Sequence, residues 1–152
     1  MIGANINSLK SNFFDRQSVL RAVAPADHRV LSKFGAFVRR RARSSIRQRK
    51  RVSRAGEPPS SHTGKLKRFI FFAYEPERHN VVIGPAKLNG TRSGTALEAL
   101  EKGGQTVILT RRARGEQQLK RTVTIAARPF MQPAFKKELP GVARLYRDQI
   151  HS

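Results

Sequence analysis

From Arg29 to Arg54 the chain carries no acidic residue, and inside that stretch apolar residues fall at Val30, Leu31, Phe34, Phe37, Val38, Ala42 and Ile46. Steps of three and four place such side chains on one face of an α-helix, which turns once every ~3.6 residues. The opposite face carries Arg39, Arg40, Arg41, Arg43, Arg47, Arg49 and Lys50. The spacing predicts a single long helix of about 20 to 25 residues, with one side on a core and a basic ridge on the other. Solvated helix faces ordinarily mix signs at three- and four-residue spacing. This one does not, so its cations need either water or an external anion.

The whole chain repeats that imbalance. Its 152 residues include 31 Lys and Arg against 10 Asp and Glu, a formal charge of +21. Self-repulsion at such a charge disfavours a compact lone monomer, and a polyanion or an acidic protein surface relieves it. A very soluble basic surface is the plainer account. Only 38% of residues are apolar and Trp is absent. The core is therefore modest, and neighbouring subunits are expected to supply part of the stability.

With no cysteine there is neither a disulfide framework nor a thiolate metal site. His28, His62, His79 and His151 lack any HxH or HxxxH spacing, so no cofactor or metal is expected. No apolar run approaches the ~18 residues that span a bilayer. The opening residues Met1 to Ile6 do not read as a secretory signal. Expected locations are the cytoplasm or a particle assembled there.

Residues 1–26 read as an N-terminal arm, with Phe13, Phe14, Val19, Leu20 and Val23 on a short helix that Pro25 terminates. Residues 27–152 read as a single α+β domain that opens with Asp27 as the N-cap of the long helix. After a Pro/Gly/Ser loop at 51–62, Phe69 to Tyr74 and Val81 to Pro85 read as the strands of a hairpin, and Pro85 closes the second strand. Thr95 to Glu101 reads as a short helix stopped by Gly103-Gly104. A second hairpin pairs Thr106–Thr110 with Thr122–Ile125 around a basic tip at Arg111, Arg112 and Arg114. The last element is a helix through Met131, Phe135, Leu139, Val142, Leu145, Tyr146 and Ile150, kinked or broken at Pro140. The expected architecture is α+β: a long basic N-terminal helix and a C-terminal helix packed on a small antiparallel sheet of two hairpins.

Catalytic chemistry finds no constellation. The acids are scattered, whereas a metal-dependent nuclease needs carboxylates converging on an ion. Glu98 and Glu101 share a helix face, as a solvated or subunit-facing pair. No Gly-rich phosphate loop, GxSxG or HExxH occurs. The chain is expected not to be an enzyme. The basic ridge and the basic tip instead suggest contact with an extended polyanion or an acidic partner, through Arg39, Arg40, Arg43, Arg47, Lys50, Arg111, Arg112 and Arg114. Aromatic residues for base stacking are not interleaved with these cations, so contact with DNA would be to its backbone.

Four stretches resemble one family. His62-Thr63-Gly64-Lys65-Leu66-Lys67-Arg68-Phe69-Ile70 resembles the TGxLxxSI segment of phage tail-component proteins, the neck and tail-completion group of long-tailed phages. Val81-Val82-Ile83-Gly84-Pro85 is similar to that family's VVxGP strand, and Leu97 to Gly104 to its EFG turn. Ala127-Arg128-Pro129-Phe130-Met131-Gln132-Pro133-Ala134 resembles its ARPFxxPA signature. The stretches occur in the family's order. Phe69 stands where Ser is usual, Lys102-Gly103 where an aromatic-Gly pair is common, and the basic tip is longer than usual.

The resemblance implies a virion protein of the head–tail joint, a homo-oligomeric ring, hexameric in preference to dodecameric. The ring would connect portal or adaptor proteins to the tail and abut the DNA channel. Leu97, Glu98, Glu101, Phe130 and Met131 would lie near subunit contacts, although Phe130 and Met131 fit a core role equally well. The charge alone suggests a different assignment, a basic nucleic-acid-binding protein of the ribosomal or nucleoid type.

Overall fold

The computed structural model describes residues 16–86, 94–110 and 119–150. Its first and longest element is helix α1, Arg16–Ser45. The buried line along α1 is Val30, Phe34, Val38 and Ala42, and it continues to Ile46 just past the helix end. A four-residue step slightly overshoots the ~3.6-residue turn, so this line winds slowly around the helix. That winding lets two sets of elements pack on α1: a hairpin and the terminal helices.

Two expectations for α1 need correcting. Pro25 does not terminate a helix but lies inside this one, and Asp27 is a mid-helix residue, not an N-cap. The ring at Pro25 removes the N–H that would bond to the Arg21 carbonyl. Arg21 is exposed, so water can take that bond, and the Ala-rich flanks stay helical. The boundary expected between residues 26 and 27 therefore falls within α1. At the other end, the helix stops at Ser45, leaving Arg47, Arg49 and Lys50 in the following segment. There Arg47 bridges to Ser60, whose neighbour Ser61 donates its N–H to the Arg47 carbonyl (3.0 Å).

After Gly64, which takes a left-handed φ of 69°, comes the one-turn helix α2, Lys65–Arg68. Strands β1, Ile70–Glu75, and β2, Asn80–Pro85, pair antiparallel from Ile70↔Pro85 to Glu75↔Asn80. A 3-10 turn at Pro76–Arg78 joins them. Alternation turns Ile70, Val81 and Ile83 toward the core and leaves Phe71 and Val82 outside. The hairpin approaches α1 closely at Gly35. A Cβ there would lie 2.8 Å from Phe72 Cδ2 and 2.9 Å from Val81 Cγ2.

Helix α3, Gly94–Lys102, ends at Gly103, whose φ is 80° and whose N–H donates to the Ala99 carbonyl (2.8 Å). Strands β3, Gly104–Thr110, and β4, Leu119–Ile125, form the second hairpin, in register from Gly104↔Ile125 to Thr110↔Leu119. The two hairpins are separate two-stranded sheets and do not share one ladder. The C-terminal helix is broken at Pro140 as expected: α4, Met131–Glu138, then a 3-10 turn at Leu139–Gly141, then α5, Val142–Ile150. The fold is α+β. Its core joins Phe34, Val38, Ala42 and Ile46 of the α1 segment to Ile70, Phe130 and Ala134. None of the described helices is long and apolar enough to cross a membrane.

Candidate nucleic-acid interface

The cations of α1 divide into two groups by what they touch. Arg39 is partly buried: its Nε donates to the Ile70 carbonyl (2.9 Å), and its guanidinium lies 5.6 Å from the centre of the Phe71 ring. Arg41 reaches across to α4, where its Nε donates to Glu138. These two fasten the first hairpin and the terminal helix to α1. Arg39 was expected on the free ridge and belongs to the scaffold instead.

The second group points away from the core. Arg29, Lys33 and Arg40 are exposed and Arg43 is partly buried. Their steps of four, seven and three keep them on one straight stripe, about 21 Å long at ~1.5 Å per residue. Arg40 stacks over Phe37, 5.2 Å from the ring centre, and that packing holds its planar head at the surface. Arg47, Lys50 and Arg51 continue the exposed cations beyond the helix. Arg49 is drawn inward instead, donating to Ser60 Oγ (2.9 Å) and lying 3.8 Å from Glu57. Arg29 and Lys33, not among the expected contact residues, are exposed and share the helical phase of Arg40 and Arg43. Arg111, Arg112 and Arg114 lie outside the described residues.

Acidic residues offer this stripe little compensation. Glu138 is held by Arg41, Glu57 faces Arg49, and Glu98 accepts from Lys102 (2.9 Å). The hydrogen bond from Lys102 and its positive charge hold the Glu98 carboxyl below its ordinary value. Glu75 lies 3.9 Å from Arg78 at the hairpin turn. Asp27 accepts from the Tyr146 hydroxyl (2.8 Å) and lies 3.3 Å from His79 Nδ1. That cluster borders an open groove of about 550 Å³ lined by Ala24, His28, Ser32, Phe72, Tyr74 and His79. Among the described residues no group of three or more His, Asp and Glu converges to hold a metal ion.

Of the residues expected at subunit contacts, Glu101, Phe130 and Met131 gather at one junction. Glu101, at the end of α3, accepts from the backbone N–H groups of Phe130 (3.0 Å), Met131 (3.2 Å) and Gln132 (2.8 Å). A carboxylate there satisfies orphan donors at the start of α4 and faces the positive end of its dipole. The Arg128 N–H donates to the Leu100 carbonyl (2.7 Å), and Arg128 Nε to the Ser53 carbonyl (3.1 Å). Glu101 is thus an internal cap, and its neighbour Glu98 is exposed. Phe130, 2% exposed, lies in the core of the fold. Met131 packs against that core, and Leu97 is partly buried.

No family model, curated protein or solved structure matches the chain.

Proposed function

We propose that this chain is a structural subunit of the head–tail joint of a long-tailed phage. It would form a neck or tail-completion ring between the portal or adaptor side and the tail, adjoining the DNA channel. It carries no reaction of its own. Six-fold closure is preferred to twelve-fold, and the subunit is made in the host cytoplasm before it enters the virion.

The observation that carries this reading is how the four family-like stretches meet. The first and second pair across the β1–β2 hairpin, where Ile70 faces Pro85 and the Ala86 N–H donates to the Phe69 carbonyl (2.8 Å). The third and fourth are joined by Glu101 at the start of α4. A signature made of scaffold junctions has a physical reason to recur in one order. Oligomerisation draws support from large apolar side chains left outside, including Phe71 (47% exposed), Val82 (53%) and Leu139 (49%).

Mass spectrometry and cryo-electron microscopy of particles from the encoding phage or prophage test the proposal. The expected result is a closed ring of about six copies at the neck. One or two copies per particle, or none, overturns it. The acid-free run from Arg29 to Arg54 favours a second reading, a non-enzymatic ribosomal or nucleoid protein. That reading places the chain in ribosome or nucleoid fractions instead of particles.

A further inference from the structure

We infer that the stripe of exposed Arg29, Lys33 and Arg40 and half-buried Arg43 on α1, extended by Arg47, is a docking face for the phosphate backbone of a double-helical nucleic acid. The inference replaces the ridge read from sequence with a narrower surface. Arg39 and Arg41 are excluded because the Ile70 carbonyl and Glu138 already hold them.

Geometry selects the partner. The stripe is straight, about 21 Å from Arg29 to Arg43 along a rigid helix at ~1.5 Å per residue. B-form DNA presents one negative charge per ~1.7 Å of its axis. A duplex lying against the stripe therefore brings several phosphates within reach of its long cationic side chains without bending either partner. Among the described residues, Glu138, Glu57 and Glu98 pair with Arg41, Arg49 and Lys102 and not with the stripe. Arginine predominates on the stripe, and its planar fork suits phosphate oxygens better than an ammonium does.

Single strands fit less well. Their affinity without sequence preference draws on exposed aromatic rings between the cations. Of the rings beside the α1 cations, Phe37 is partly buried and stacked beneath Arg40, and the exposed Phe71 lies beneath Arg39, to one side of the stripe. Contacts of this kind position a duplex without reading its bases. Duplex DNA and duplex RNA share the chemistry.

The test is a salt titration of the full chain against two unrelated DNA duplexes, a duplex RNA, a single strand and polyglutamate. For five contacts the expected slope of log K against log salt lies between about −4 and −5, equal for both DNA sequences. Replacing Arg40 and Arg43 together by Gln should flatten the slope by about 2 and weaken binding about tenfold to a hundredfold near 0.1 M salt. The charge-matched control is Lys136→Gln with Arg147→Gln, exposed cations of α4 and α5, the helices packed on the core side of α1. It should change the slope by less than about 0.5.

Binding of the RNA duplex with the same slope supports a general duplex face, and preference for DNA supports the B-form spacing. Equal losses in the two double variants would show diffuse attraction by net charge and overturn the assignment. Tighter binding of the single strand overturns it as well. Preference for polyglutamate at matched charge would make the stripe a protein-docking face, again against it. The inference does not rest on the place in the virion. Particles without the chain would overturn the joint and leave duplex binding standing, whereas a chain that ignores duplexes would leave the joint standing.

Discussion

The first hairpin lies flat against α1, with Phe72 and Val81 closed over Gly35 and Ile70 inserted in the core. The second hairpin packs on α3. Of β3, Thr106 is buried while Val107 next to it is 54% exposed, and α3 packs along the strand. What ties this unit to the rest is the Leu100 side chain against the core together with polar contacts: Glu101 on the start of α4, and the Arg128 N–H on the Leu100 carbonyl. An antiparallel two-stranded ribbon is marginal alone. One ribbon packs its apolar face directly on α1, and the other is joined through α3, by the Leu100 side chain and a few hydrogen bonds.

The strongest way to break the comparison is at Phe130, where the two modes meet: its side chain is in the core and its N–H is on Glu101. Phe130→Ala should cost about 3–5 kcal/mol in denaturant unfolding, because it leaves a cavity the backbone cannot close. A loss below about 1 kcal/mol would mean that this side chain is not in the core.

Glu101→Ala should cost about 2–3 kcal/mol, since three backbone donors lose a charged acceptor together. Glu101→Gln should cost less, as its amide oxygen still accepts. Hydrogen exchange separates the hairpins here. Protection should fall at Phe130, Met131, Gln132 and along β3, and stay unchanged in β1 and β2. Uniform loss across both would mean the second hairpin is not held separately.

Gly35→Val is the mirror experiment, with an expected cost of about 1–3 kcal/mol from overpacking. Its added methyl groups would overlap Phe72 and Val81. Protection should then fall in β1 and β2 while the Glu101 cap persists. An unchanged β1–β2 pattern would place the hairpin farther from α1.

Much of this architecture was legible in the sequence, for local reasons. The three- and four-residue steps of α1, the aromatic and β-branched run of β1, and Gly103 at the end of α3 each carry their own signal. The two internal prolines show where local reasoning stops. Pro140 is followed by Gly141, and the helix breaks there; Pro25 is flanked by Ala24 and Ala26, and the helix continues through it. The roles of charged residues were less legible because their partners are remote. Arg39 finds its carbonyl 31 residues away, and Arg41 its carboxylate 97 residues away. Glu98 and Glu101 look alike on a helical wheel. The start of α4, about thirty residues on, makes one of them a cap and leaves the other with Lys102.

The smallest expected effect sharpens how α5 is fastened to α1 and the first hairpin. The Tyr146 hydroxyl donates to Asp27 Oδ1, whose other oxygen faces His79 at the hairpin turn. Burial, then the hydrogen bond to Asp27 and its negative charge, push the phenol from its ordinary value of 10.0 up to about 12. The fold therefore favours the protonated phenol more than the unfolded chain does. Stability from this contact is fully present below about pH 10 and is lost as the pH rises through about 12. Tyr146→Phe removes the bond and should cost about 1 kcal/mol near neutrality. The gap between wild type and Tyr146→Phe should be constant up to about pH 9 and shrink between about 10 and 12. Taking the difference between the two proteins removes the contribution of lysines that lose their charge in the same range. A gap that persists undiminished at the high end would mean that Tyr146 ionises alike in the folded and unfolded chain. Its hydroxyl would then have no privileged partner in Asp27.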